Sequence, residues 1–101
     1  MYRQGDVLIV PVKTVPKDAR PIQREGGTIV LAHGEATGHT HAIAEPSAMF
    51  FEAAGAHRFL SLVKPARLQH EEHAPIYLPA GNYEVIRQRE YTPEAIRNVA
   101  D

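Results

Sequence analysis

Short apolar runs separated by turn residues recur along most of the chain. Residues 7–10 are apolar on both faces, which is typical of a strand that is buried on both sides. Residues 28–32 form a β-branched run behind a Gly-Gly pair, and proline, glycine or acidic turns bound the later runs. The predicted strands cover residues 7–10, 28–32, 39–44, 48–52, 57–63, 66–70, 75–78 and 82–91. Seven or eight short strands at roughly ten-residue spacing predict a small β-barrel or sandwich.

Two segments depart from the strand pattern. Residues 15–21 carry two prolines and mixed charge, which predicts a surface loop. Near the end of the chain, Thr92 suits a helix N-cap, Pro93 the first helical position and Glu94 the positive end of the helix dipole. A short apolar stripe would follow, made of Ile96, Val99 and Ala100. We therefore expect a short C-terminal helix beside the all-β fold.

Composition narrows the class of protein. A chain of 101 residues suits a single domain over residues 1–101, and a net charge of −1 disfavours nucleic acid as a partner outside a local patch. There are no cysteines, so a metal site must use nitrogen and oxygen ligands. The first residues contain no apolar stretch long enough for a signal peptide or a membrane span. The expected location is therefore the cytoplasm, without membrane contact.

Two of the six histidines form the pattern His39-Thr40-His41. Side chains alternate along a strand, so both imidazoles lie on one face with Cα atoms roughly 6.7 Å apart. Two rings at that spacing can converge on one metal ion. Glu45 shares the face but lies roughly 13 Å beyond His41 along a straight strand, so it joins the site only if the chain bends. His39 and His41 are the first candidate ligands, and Glu45 is a conditional one.

A second cluster, His70-Glu71-Glu72-His73, follows further along the chain. Pro75 disfavours a helix at the preceding residue, so a strand end with a tight turn is expected here. In that geometry one of His70 and His73 faces the site, and a neighbouring glutamate can hydrogen-bond an imidazole. The sequence therefore predicts His70 as the third ligand, with His73 or Glu45 completing the shell.

The run from Gly34 through His39-Thr40-His41 to Glu45 resembles the first metal motif of the cupins. Pro79-Ala80-Gly81 is similar to the turn of their second motif, and Glu84 stands where that family carries its last histidine. The resemblance implies a small β-barrel that binds a divalent ion such as Fe, Mn, Ni or Zn. It also implies either an enzyme or a non-enzymatic binder.

The leading hypothesis is a divalent metal site, with Zn, Fe, Mn and Ni left open. An open coordination position would support metal-dependent catalysis on a small-molecule substrate, and a filled one would make the ion structural. One alternative is a metal-free binding or assembly module that forms homo-oligomers through exposed strand edges. Another is metal-free acid–base cleavage of a phosphodiester by paired histidines, with Arg87 or Arg89 holding the phosphate.

Overall fold

The computed structural model describes residues 1–34 and 37–88 of the chain. The predicted C-terminal helix, Arg89 and Tyr91 lie outside the described residues. Within them the fold is all-β, with one short 3₁₀ turn at Ala54–Ala56. The strands are β1 Tyr2–Gln4, β2 Val7–Val12, β3 Arg20–Pro21, β4 Ile29–His33, β5 Thr40–Ile43, β6 Met49–Ala53, β7 His57–Leu62, β8 Ala66–Gln69, β9 Ile76–Leu78 and β10 Gly81–Arg87.

The strands form two antiparallel sheets. The larger sheet has the order β1-β2-β10-β7-β6-β3, and the smaller has the order β4-β5-β8-β9. In the described part of the chain, no strand pairing joins an edge of one sheet to an edge of the other, so the sheets do not close into a barrel. The all-β expectation is confirmed, and the arrangement is two separate sheets.

The core lies between the sheets because both contribute fully buried aliphatic side chains. Ile9 and Leu60 come from the larger sheet, and Leu31, Ile43 and Leu68 come from the smaller. In β8 buried and exposed positions alternate strictly, as expected for a strand with one face in the core. Full burial of each such side chain stabilises the fold by roughly 1.5–3 kcal/mol.

Two strands were not expected from the apolar pattern. β1 is a three-residue edge strand that pairs with Val7–Ile9 of β2 through a two-residue turn. β3 is a two-residue strand inside the segment expected to be a surface loop, and it pairs with β6. Pro11 lies past the end of β1, where β2 pairs with β10 alone, so its missing N–H costs no bond to β1. In the described part of the chain, no helix has the length and apolarity of a membrane span.

Candidate metal centre

The register of β5 against β8 brings the two histidine segments together. Ala42 pairs with Gln69 and Ile43 with Leu68, so the antiparallel continuation places His41 opposite His70. At the next position the backbone N–H of Thr40 donates to Glu71 Oε1 at 2.9 Å. The start of β5 and the end of β8 therefore lie side by side at one end of the smaller sheet.

Four imidazoles lie at this end of the sheet. The ring centroid of His70 is 4.4 Å from that of His41, 4.6 Å from that of His73 and 5.5 Å from that of His39. The centroids of His41 and His73 are 6.1 Å apart. An imidazole bound through one nitrogen has its centroid roughly 3.2 Å from the ion, so two rings on one ion are at most about 6.4 Å apart. All four of these spacings are compatible with a shared ion. We call His39, His41, His70 and His73 the histidine cluster.

His41 is buried, at 4% exposure, and the side chain of Gln4 orients its ring. Gln4 Nε2 donates to the carbonyls of Leu68 at 3.0 Å and Ala74 at 2.9 Å, which identifies Oε1 as the acceptor end of the amide. His41 Nδ1 lies 2.8 Å from that oxygen and therefore carries the proton, which leaves a lone pair on Nε2. Burial and the neighbouring His70 lower the pKa of His41 to about 4, so the ring is neutral at pH 7. A neutral, oriented imidazole is what a metal requires of a histidine ligand.

The other rings of the cluster differ in their hydrogen bonds. His39 Nδ1 lies 2.7 Å from Glu72 Oε1, so this carboxylate orients His39 from outside the cluster. His70 Nδ1 accepts the backbone N–H groups of Glu72 at 3.0 Å and His73 at 3.2 Å, which places the proton of the neutral ring on Nε2. Burial and His73 also lower the pKa of His70. Among the described contacts, the side chain of His73 has no hydrogen-bond partner.

Two carboxylates border the cluster. Asp6 follows β1 in the turn to β2, and its Oδ1 lies 3.5 Å from His41 Nε2. Its other oxygen accepts from Arg87 Nε at 2.9 Å. Burial opposes ionisation of Asp6, but the hydrogen bond and charge of Arg87 outweigh it and hold the pKa below the usual value. Glu71 lies on the exposed side, and one ligand atom from each of His39, His70 and Glu71 lies within 4.8 Å of the others.

The structure does not bring Glu45 to the cluster. Glu45 follows the opposite end of β5, and its Oε2 accepts the backbone N–H of Arg67 at 3.1 Å. The chain does not bend Glu45 back to the histidines, so the condition under which Glu45 would be a ligand is not met. Glu84, at the position where cupins carry their last histidine, contacts His57 at 3.0 Å rather than the cluster.

The two remaining histidines line a separate groove of about 900 Å³ between β4 and the larger sheet. His33 lies 3.1 Å from Glu25, and His57 pairs with Glu84, so each exposed ring has a carboxylate partner. The groove is larger than the depression of about 280 Å³ beside His70 and Glu71. The volume of a groove therefore does not identify the candidate metal site, because the histidine cluster lies outside this larger groove.

A family model described as a domain of unknown function (DUF8820) matches residues 3–88. The chain belongs to this family. No curated protein and no solved structure matches the chain. The DUF8820 match includes both histidine segments of the cluster and also Gln4, Asp6 and Arg87.

Sequence reasoning missed two polar residues of this DUF8820 domain. Gln4 and Asp6 belong to the β1–β2 hairpin, far from the histidines in sequence, and neither lies in a recognisable motif. The available signal was Gly5 between them, since a glycine in a two-residue turn predicts a hairpin that can carry flanking side chains over the sheet. Glu71 or Glu72 was expected to support an imidazole, and Glu72 lies 2.7 Å from His39. One oxygen of Glu71 lies within 4.8 Å of a nitrogen of His39 and of His70.

Proposed function

We propose that this protein binds one divalent transition-metal ion at the histidine cluster. The observation that carries the proposal is the convergence of four imidazoles, with centroid distances of 4.4 to 6.1 Å in the four neighbouring pairs. Two strand segments that are remote in sequence supply these rings. Neutral imidazole with nearby carboxylate suits Zn, Fe, Mn or Ni.

The protonation states favour a metal over metal-free phosphodiester cleavage. The pKa values of His41 and His70 are both lowered, so at pH 7 each ring is neutral. A general acid must hold a transferable proton at the working pH, whereas a metal ligand must offer a lone pair. His41 meets the second requirement through Nε2.

The role of the ion depends on whether the protein fills all of its coordination positions. With a coordination position open to solvent, the ion would act as a Lewis acid or activate a water molecule for a small-molecule substrate. With every position filled by protein, it would stabilise the fold instead. The depression beside His70 and Glu71 supports the first role, because a small molecule bound there would contact His70, one ring of the cluster.

Elemental analysis of protein purified without a His-tag tests the proposal. We expect the wild type to retain one divalent ion per chain after dialysis, and His41→Ala to lose it. His57→Ala is the matched control, since this exposed histidine pairs with Glu84 outside the cluster. Wild-type protein that takes up none of Zn²⁺, Fe²⁺, Mn²⁺ or Ni²⁺ from solution would contradict the proposal.

A further inference from the structure

Asp6 and His41 face each other as two electron-pair donors. His41 Nδ1 donates to Gln4, so Nε2 is the nitrogen left to bind an ion, and it lies 3.5 Å from Asp6 Oδ1. The carboxylate oxygen and this nitrogen can both give an electron pair to a cation placed between them. Ligand atoms bound at about 2.1 Å with a tetrahedral angle are roughly 3.4 Å apart, which matches the observed separation.

The outer partners of both groups hold this geometry. Gln4 is only 2% exposed, and two backbone carbonyls and His41 use its whole amide group. Arg87 binds Asp6 Oδ2 and leaves Oδ1 directed at His41. Hydrogen-bonded partners of this kind fix the orientation of metal ligands in known sites.

The ring of His73 lies beside this pair. A Cβ atom built on Gly5 would lie 2.7 Å from His73 Nε2 and 3.3 Å from His41 Cε1, so both rings lie against the residue that precedes Asp6. The rings are close to parallel, at 16°. The side chain of His73 has no hydrogen-bond partner among the described residues, so its nitrogens are free to bind.

The rival carboxylate, Glu71, has a less available histidine beside it. Glu71 and Asp6 each have one oxygen engaged, by the backbone N–H of Thr40 and by Arg87, but two backbone N–H groups also occupy Nδ1 of His70, the neighbour of Glu71. Coordination by His70 through Nε2 would require its proton to move to Nδ1, which would break both of those hydrogen bonds. His41 meets no such conflict, because its proton is already on Nδ1.

Building on the proposed metal function, we infer that Asp6 is the carboxylate ligand of the ion, with His41 and His73 as its nitrogen ligands. The ion then lies between the β1–β2 turn of the larger sheet and the histidines of the smaller one. Two imidazoles and one carboxylate form a donor set that suits Zn²⁺ or Fe²⁺ and leaves coordination positions for water or substrate.

A ligand exchange tests this assignment directly. The chain has no cysteine, so the sulfur introduced by Asp6→Cys is its only thiolate, and a thiolate bound to Co²⁺ gives a near-ultraviolet charge-transfer band. We expect that band in Asp6→Cys and not in the matched variant Glu71→Cys. A band in Glu71→Cys alone would overturn the assignment of Asp6.

Affinity measurements with Zn²⁺ separate this inference from the proposed function. Asp6→Asn keeps an oxygen for Arg87 and is expected to weaken Zn²⁺ binding by at least about tenfold, whereas Glu71→Gln leaves it unchanged. Zn²⁺ binding that is equal in the wild type and in Asp6→Asn would overturn the role of Asp6 and leave the metal function standing. Absence of Zn²⁺ and Co²⁺ binding by the wild type would overturn both.

Discussion

His41 couples the stability of the fold to pH. Its pKa is lowered from 6.5 to about 4 in the folded chain, so between these values the unfolded chain binds more protons. The contribution of His41 to the free energy of unfolding is therefore fully present above pH 6.5, and it is lost as the pH falls toward 4. His70, whose pKa is also lowered, acts in the same direction. With chelator present, we expect the free energy of unfolding to fall by about 2 to 3 kcal/mol between pH 7 and pH 4.5.

Urea unfolding at the two pH values checks this expectation. His41→Gln removes the titrating ring and should flatten the pH dependence, although it lowers stability at pH 7. His33→Gln is the control, because this ring is exposed and lies outside the cluster. A wild-type unfolding free energy that stays constant from pH 7 to pH 4.5 would refute the coupling.

Gly5 is constrained both by its backbone and by the space around it. Its φ is +60°, which L residues adopt at a cost of roughly 1–2 kcal/mol, and an added Cβ would lie 2.7 Å from His73 Nε2. Gly26 has nearly the same φ, +59°, but nothing lies within 4 Å of its added Cβ. We expect Gly5→Ala and Gly26→Ala both to lower thermal stability, and only Gly5→Ala to displace His73 and weaken metal binding. Equal metal affinity in the two variants would show that His73 does not hold the ion.

The histidines of the cluster were predictable because two local patterns marked them. His39 and His41 have strand spacing, and His70 and His73 surround a turn before Pro75. Asp6 and Gln4 were not predictable, because their contacts with His41 depend on where a two-residue hairpin lies over another sheet. No local periodicity encodes that placement. Glu45 shows the opposite case, since the rise per residue of a strand alone predicted its separation from His41.

At the scale of elements, Arg24 joins two loops. From the β3–β4 connection, its guanidinium donates to the carbonyls of Gly27, Glu45, Pro46 and Ala48 at 2.7 to 3.2 Å. Arg24→Lys keeps the charge but replaces a planar fork with a point donor that cannot span these oxygens. We expect a loss of about 1–3 kcal/mol in the free energy of unfolding, measured in urea.

Arg67→Lys is the matched control for this change. Arg67 is exposed, and its guanidinium donates to Gln69 within the same strand, so little stability should be lost. If the two lysine variants unfolded at the same urea concentration, the bridging role of Arg24 would be wrong.

Strand positions followed from the apolar pattern, while sheet closure did not. Each predicted strand segment contains a strand, because alternation and turn residues are local signals. β1 and β3 were missed because pairing with β2 and β6, rather than their own composition, makes them strands. Whether sheet edges meet depends on contacts between residues far apart in sequence, so a barrel and two separate sheets share one strand pattern.

At the scale of the whole molecule, a metal ion at the proposed site would connect the two sheets. Asp6 belongs to the hairpin of the larger sheet, whereas His41 lies in β5 of the smaller sheet and His73 follows its strand β8. Gln4 already spans the same boundary through the carbonyls of Leu68 and Ala74. The ion would therefore stabilise the contact between sheets and not a single loop.

We expect Zn²⁺ to raise the thermal unfolding temperature of the wild type and a chelator to reverse the rise. Binding to the folded state alone stabilises it by about 2.7 kcal/mol at a free ion concentration one hundred times the Kd. The rise should be clearly smaller in Asp6→Asn, which weakens the link to the larger sheet, and unchanged in Glu71→Gln. Scanning calorimetry with and without Zn²⁺ measures it. A rise of equal size in Asp6→Asn would mean that the ion is held within the smaller sheet alone.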